Sequence, residues 1–209
     1  MRRRVSFRGR ALRVGILIDG SNFIASLYRA KVGYPALGVL FDLLRGTDEV
    51  TLGRFYGAPP MREPWAGRWK SFVSANRHLA RLEFFQGYRH KSTDEEKVID
   101  VALATDLLYG HSANMFDRAV VVGGDGDHIY ALKAARKFLP IRVFLLDPHT
   151  RGLAAARIPY TLLNAADLVR YGICDPGEGA PVPAAHRAPV GSASVSRIQH
   201  GSNALLPGE

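Results

Sequence analysis

Four aspartates stand where a chain of this pattern would carry chemistry. Asp19 closes the apolar run Val14-Gly-Ile-Leu-Ile18, and Asp125 and Asp127 follow a second run, Ala119-Val-Val-Val122, within Gly123-Gly-Asp-Gly-Asp127. Asp100 lies in a helical stretch just before that second run. Gathering such groups is costly, because two charges about 4 Å apart repel by about 4 kcal/mol at an effective dielectric of about 20. A cation or raised pKa values must compensate. Carboxylate oxygens suit Mg2+ or Mn2+ better than zinc, and with one cysteine (Cys174) and no His/Cys cluster there is no zinc pattern to compete. Ions held in this way activate water and stabilise charge developing on a phosphodiester, so metal-dependent hydrolysis is the chemistry these residues suggest. An Asp after a strand also serves as a helix cap or turn residue. It is the joint placement of the four that points to a metal site.

That placement depends on the elements around it. Both apolar runs read as strands buried on both faces. Further strands are expected at residues 50–56, 82–85, 141–146 and 160–163, alternating with helical patterns. One helix follows Asp19 through Phe23, Leu27 and Tyr28. Another covers 65–78, with Trp65, Trp69, Phe72 and Val73 as its core side. Thr93 is expected to open the helix carrying Asp100, with Glu96 completing a capping box. Val98, Val101, Ala102, Thr105 and Leu108 are assigned to its buried face, which turns Lys97, Asp100 and Ala104 to another side. A helix after Asp127 reaches Phe138, and a last one covers 165–171. Strands alternating with helices predict βαβ units and a parallel sheet. Ligands of such sheets lie beyond the carboxyl ends of the strands. Asp19, Asp125 and Asp127 therefore share one edge if their two strands are neighbours. Gly123, Gly124 and Gly126 let the chain turn sharply off the buried strand.

The 209 residues are 47% hydrophobic and 22% charged, enough for one ordinary core. The net charge of +9 is uneven: six arginines crowd the first thirteen residues, which contain no acid, and from Asp175 onward acids outnumber arginines by one. Setting both ends aside leaves +4, so any attraction for a polyanion comes largely from the arm. Residues 1–12 are expected to form a basic disordered arm, 13–174 the folded domain, and 175–209 a disordered tail rich in Gly, Pro, Ala and Ser. Arginines interrupt the N-terminus before a signal-peptide core develops, and no apolar run approaches a membrane span of about 20 residues. A cytoplasmic protein is the expectation.

Three segments, in order, resemble the NYN domain family of PIN-like nucleases: Leu17-Ile-Asp-Gly-Ser-Asn-Phe23, Glu96-Lys-Val-Ile-Asp-Val-Ala-Leu-Ala-Thr-Asp106 and Val120-Val-Val-Gly-Gly-Asp-Gly-Asp-His128. The similarity runs from about Arg13 to Tyr171. It implies a Rossmann-like, PIN-type three-layer α/β/α domain with a parallel central sheet. It also implies RNA cleavage dependent on Mg2+ or Mn2+, with Asp19, Asp100, Asp125 and Asp127 as catalytic metal ligands. By the same resemblance Asn22 stands near the metal, and Lys97 holds a phosphate or neutralises Asp100. Asp106 also matches, but it falls about 120° around the helix from Asp100 and is expected to be a supporting group instead. The chain departs from the family where Gly123, Gly126 and His128 replace two serines and an aromatic residue, which leaves His128 with either a substrate or proton-transfer role or a purely structural one.

Single-stranded RNA is the favoured partner, with a homodimer left open. Tyr88, Arg89, His90 and Lys91, in the loop before the Asp100 helix, could stack on a base and bind phosphates if that loop overhangs the site, but a solvated polar loop explains all four and is the favoured reading. Two other enzyme classes fit less well. The Gly123-Gly-Asp-Gly126 loop resembles that of NAD and lipid kinases, but Asp127-His128 follows instead of threonine and Asp19 and Asp100 go unused. An aspartyl-nucleophile phosphatase needs Asp-x-Asp after the first strand, where Gly20 and Ser21 follow Asp19. The alternative outside catalysis is a nucleic-acid-binding regulatory protein with the same fold and little cleavage.

Overall fold

The computed structural model describes residues 11–61, 63–90, 96–146 and 151–176, without the side chains of Trp65 and Arg151. The expected arm and tail fall almost wholly outside this set, as do Thr93 and Lys91. In chain order the elements are β1 (Arg13–Asp19), α1 (Gly20–Arg29), β2 (Val32–Pro35), α2 (Leu37–Arg45), β3 (Glu49–Gly57), α3 (Trp65–Asn76) and β4 (Leu82–Gln86). There follow β5 (Tyr88–Arg89), β6 (Glu96–Lys97), α4 (Ile99–Ser112), β7 (Arg118–Val122), a 3-10 turn (Gly126–His128) and α5 (Ile129–Ala135). The chain then forms β8 (Ile141–Leu145), α6 (Arg151–Ala155), β9 (Thr161–Leu162), α7 (Ala165–Arg170) and β10 (Cys174–Pro176).

Six strands form the central sheet in the order β4-β3-β1-β7-β8-β9, and all five pairings are parallel. The order grows outward in both directions from the β1–β7 pair, which makes the carboxyl ends of those two strands the topological switch point. Sequence alternation builds the layers. On β1, Val14, Ile16 and Ile18 face a cluster completed by Phe23 and Leu27 of α1, Leu40 and Leu44 of α2, Trp69 and Phe72 of α3, and Leu168 of α7. Leu17 faces the opposite cluster, with Leu103 and Leu107 of α4, Leu132 of α5 and Leu153 of α6. The two-residue period then carries Asp19 onto the α4 side. Helices cover both faces of a parallel sheet, as the pattern predicts.

Two segments differ from expectation. Glu96 does not cap a helix: Glu96–Lys97 pairs antiparallel with Tyr88–Arg89, and Arg89 forms an ion pair with Glu96. The helix begins at Ile99, after Val98 in the left-handed region (φ 79°). Its buried stripe is Ile99, Leu103, Leu107 and Gly110, while Val98, Val101 and Leu108 are exposed. This helix is apolar on two sides, so its periodicity does not decide which side faces the sheet. The second difference is the β2–α2 segment, which has no counterpart in the sequence reading; β2 pairs antiparallel with β10, joining Asp175 and Pro176 to the fold. No helix among the described residues is long and apolar enough to cross a membrane.

Candidate metal centre

Asp19 leaves the end of β1 as the N-cap of α1, with Oδ1 accepting the backbone N–H of Asn22 at 3.0 Å. The cap reading and the site reading hold together, because the other oxygen remains available. Asp19 Oδ2 lies 3.1 Å from Nε2 of His128. A carboxylate only accepts, so in this arrangement Nε2 carries the proton and donates it. Asp100, in the first turn of α4, places Oδ1 3.7 Å from the same nitrogen. One ligand atom from each of Asp19, Asp100 and His128 can be chosen so that all three lie within 4.8 Å of one another. Asp19 and His128 are buried, at 3% and 1% exposure, whereas the Asp100 side chain is half exposed. The cluster therefore sits at the floor of the edge and opens toward solvent on the α4 side.

Two glycines make the close approach feasible. Gly123, immediately after β7, has φ +148°, and a Cβ there would lie 2.7 Å from the Cβ of Asp19. At Gly20 a Cβ would meet the Phe55 ring at 2.0 Å and the Tyr56 carbonyl at 2.5 Å. The crossing between β1 and the β7 loop is also tied by Asn22, whose Oδ1 accepts the backbone N–H of Gly124 at 3.1 Å. Asn22 thus positions the loop as well as the helix start. Asp125 Oδ1 accepts the N–H of Asp127 at 3.0 Å and so starts the 3-10 turn that delivers His128. Asp125 is half-buried and Asp127 exposed; neither is part of the Asp19, Asp100 and His128 group.

The other three aspartates nevertheless act on Asp100. Burial first, then the charges of Asp19, Asp125 and Asp127, hold the Asp100 carboxyl above its usual range, while His128 works in the opposite direction. Burial alone would lower the imidazole pKa of His128. The Asp19 hydrogen bond and the charges of Asp19, Asp100 and Asp125 outweigh it and raise the net value. The site is electronegative enough to favour a cation.

The remaining residues singled out in the sequence are elsewhere. Asp106 accepts the Tyr56 hydroxyl at 2.8 Å and pairs with Arg54 at 2.6 Å, away from the cluster. Lys97 is exposed on β6, in register with Tyr88. His128 is the residue whose role sequence reasoning left open. Its signal was the departure from an aromatic residue beside the last aspartate, but the Asp19 partner is 109 positions away and is brought to it by the sheet order.

A six-stranded parallel sheet with helices on both faces and carboxylates at its switch point defines a Rossmann-like α/β domain of the PIN-like type. Residues 13–168 match the NYN domain, and the chain belongs to that family of PIN-like nucleases. The fold is similar to the crystal structure of a protein of unknown function from Vibrio parahaemolyticus, at 16% identity and a TM-score of 0.56, covering 74% of this chain and 93% of that one. No curated protein matches the chain.

Proposed function

We propose that the protein is a divalent-metal-dependent ribonuclease that hydrolyses phosphodiester bonds of single-stranded RNA. The observation that carries the reading is the convergence of Asp19 and Asp100 with His128 at the switch point, from three separate elements. The group is of a size to close on an ion: bonds of roughly 2.1 Å at angles of 90–120° separate ligand atoms by roughly 3.0–3.6 Å, Nε2 of His128 stands 3.1 and 3.7 Å from the two carboxylates, and all three atoms lie within 4.8 Å of one another. Asp19 and Asp100 would hold Mg2+ or Mn2+, and Asp125 and Asp127 would add the negative charge that draws it in. A bound ion supplies Lewis-acid stabilisation of the phosphodiester and a more acidic attacking water. Asn22 and Gly123 keep the two sides of the site in register. Tyr88 and Tyr130, 60% and 85% exposed, offer faces for unstacked bases, which single strands present and duplexes do not.

Labelled single-stranded RNA and DNA incubated with Mg2+, Mn2+ or chelator test this. RNA cleavage that stops with chelator, and a folded Asp100→Asn protein at least about 100-fold slower, are expected for loss of a metal-site electrostatic contribution. Undiminished cleavage by folded Asp100→Asn would refute the site. One observation favours a second reading, RNA binding without cleavage: the His128–Asp19 hydrogen bond partly neutralises the cluster with no ion. Retained RNA binding with no product under any metal would select it.

A further inference from the structure

We infer that His128 is itself a ligand of the ion through Nε2, so that the centre takes a divalent transition ion of the Mn2+ kind in preference to Mg2+. This rests on the metal-site reading above and adds what sets the ion's identity. The ring is 1% exposed, and its Nε2 lies 3.1 Å from one carboxylate oxygen and 3.7 Å from another. Nδ1 has no hydrogen-bond partner among the described residues, so the ring's polar contacts run through Nε2 alone. Asp19 has one oxygen committed to capping α1, which leaves Oδ2, the oxygen that faces His128 Nε2, to turn toward an ion. The compact donor set is therefore two carboxylates and one imidazole, not the all-oxygen set the aspartate spacing suggests. Mg2+ demands octahedral oxygen coordination and sheds water reluctantly, while imidazole nitrogen suits the transition ions. On binding, the ion takes the place of the Nε2 proton, which leaves to solvent.

The competing explanation makes His128 a positioning residue that orients Asp19 by hydrogen bonding. Pulsed electron paramagnetic resonance of Mn2+ bound to the full chain separates the two, because a coordinated imidazole gives the strong 14N modulation of a directly bonded nitrogen and one hydrogen-bonded outside the coordination shell gives only a weak dipolar coupling. Titrations of Mn2+ and Mg2+ into the wild type, His128→Ala and His128→Asn complete the test, each variant first checked for a cooperative melt. We expect strong 14N modulation in the wild type and its loss in both variants. We also expect Mn2+ affinity to fall by about tenfold or more, the scale set by losing even an outer partner of a metal ligand, with Mg2+ affinity changed much less. Wild-type Mn2+ bound without strong 14N modulation, no Mn2+ binding at all, or equal losses for the two ions would overturn the inference. If neither variant folds, the wild-type spectrum decides alone. Nitrogen-coupled Mn2+ without RNA hydrolysis would retain this inference and remove the nuclease reading; hydrolysis without nitrogen coupling would do the reverse.

Discussion

Replacing Asp106 by alanine should destabilise the fold while leaving the metal centre intact, although the residue lies on the same helix as Asp100 and within the same family segment. Asp106 accepts the hydroxyl of Tyr56, whose ring is fully buried, and pairs with Arg54. Burial, and then the Asp106 hydrogen bond, hold that phenol protonated well above its ordinary range. Removal leaves a buried hydroxyl donor without an acceptor, which costs about 1–3 kcal/mol. The Arg54 pair adds less. Its partners are about one-fifth exposed and Arg54 keeps Glu83 at 2.6 Å, so roughly 0.5–1 kcal/mol is appropriate. The total is about 1.5–4 kcal/mol. At roughly 3 °C per kcal/mol for a domain of this size, the melting temperature should fall by about 5–12 °C. Asp106→Asn keeps an acceptor for Tyr56 and should recover more than half of the loss. Thermal melts of the three proteins in chelator, with Mn2+ titrations of each at 20 °C, make the measurement. Unchanged stability with a tenfold loss of Mn2+ affinity would show that Asp106 serves the ion and refute its placement on the Tyr56 and Arg54 side of α4.

Three further outcomes follow from the same geometry. Gly123→Ala must adopt φ near +148° and bring a methyl against Asp19, so a loss of about 1–3 kcal/mol is expected, together with weakened Mn2+ binding, read by urea denaturation and metal titration. In chelator, stability should decline as pH rises. Asp100 and His128 both have folded pKa values raised above their unfolded ones, so each contribution is complete below the unfolded value (about 4 and about 6.5) and is lost as pH passes the folded one. The other charges facing them are Asp19, Asp125 and Asp127, and bound Mn2+ should remove the slope. A flat chelator profile between pH 5 and 8.5 would contradict the charge arrangement. Cys174, 4% exposed with its thiol pushed up to about 12 by burial and then Asp175, should resist a thiol reagent at pH 8 until the protein unfolds.

How much of this was legible in the chain depends on the range of the signal. The strands of the sheet announced themselves locally: four of the five residues from Val14 to Ile18 are apolar, and a run buried on both faces needs no partner to be recognised. The carboxyl-edge aspartates followed from those strands by direction alone, and the family segments confirmed the order. What failed was information that resides in contacts. Val101 and Leu103 are equally apolar, and the sheet buries the second while leaving the first exposed; no periodicity in Ile99–Ser112 distinguishes them. The β2 strand is four residues long and acquires its pairing from Cys174–Pro176, far along the chain. His128 is the instructive case. As one histidine after a turn it has no local pattern, and its chemistry comes from an aspartate held 3.1 Å away by strand adjacency and from a glycine that keeps Cβ out of the gap. Sequence spacing therefore located the edge where the aspartates gather, but the imidazole that joins them is brought there by packing across the β1–β7 pair. A residue departing from a family pattern at such an edge is best judged by the atoms it meets, here the two carboxylates that Nε2 of His128 faces.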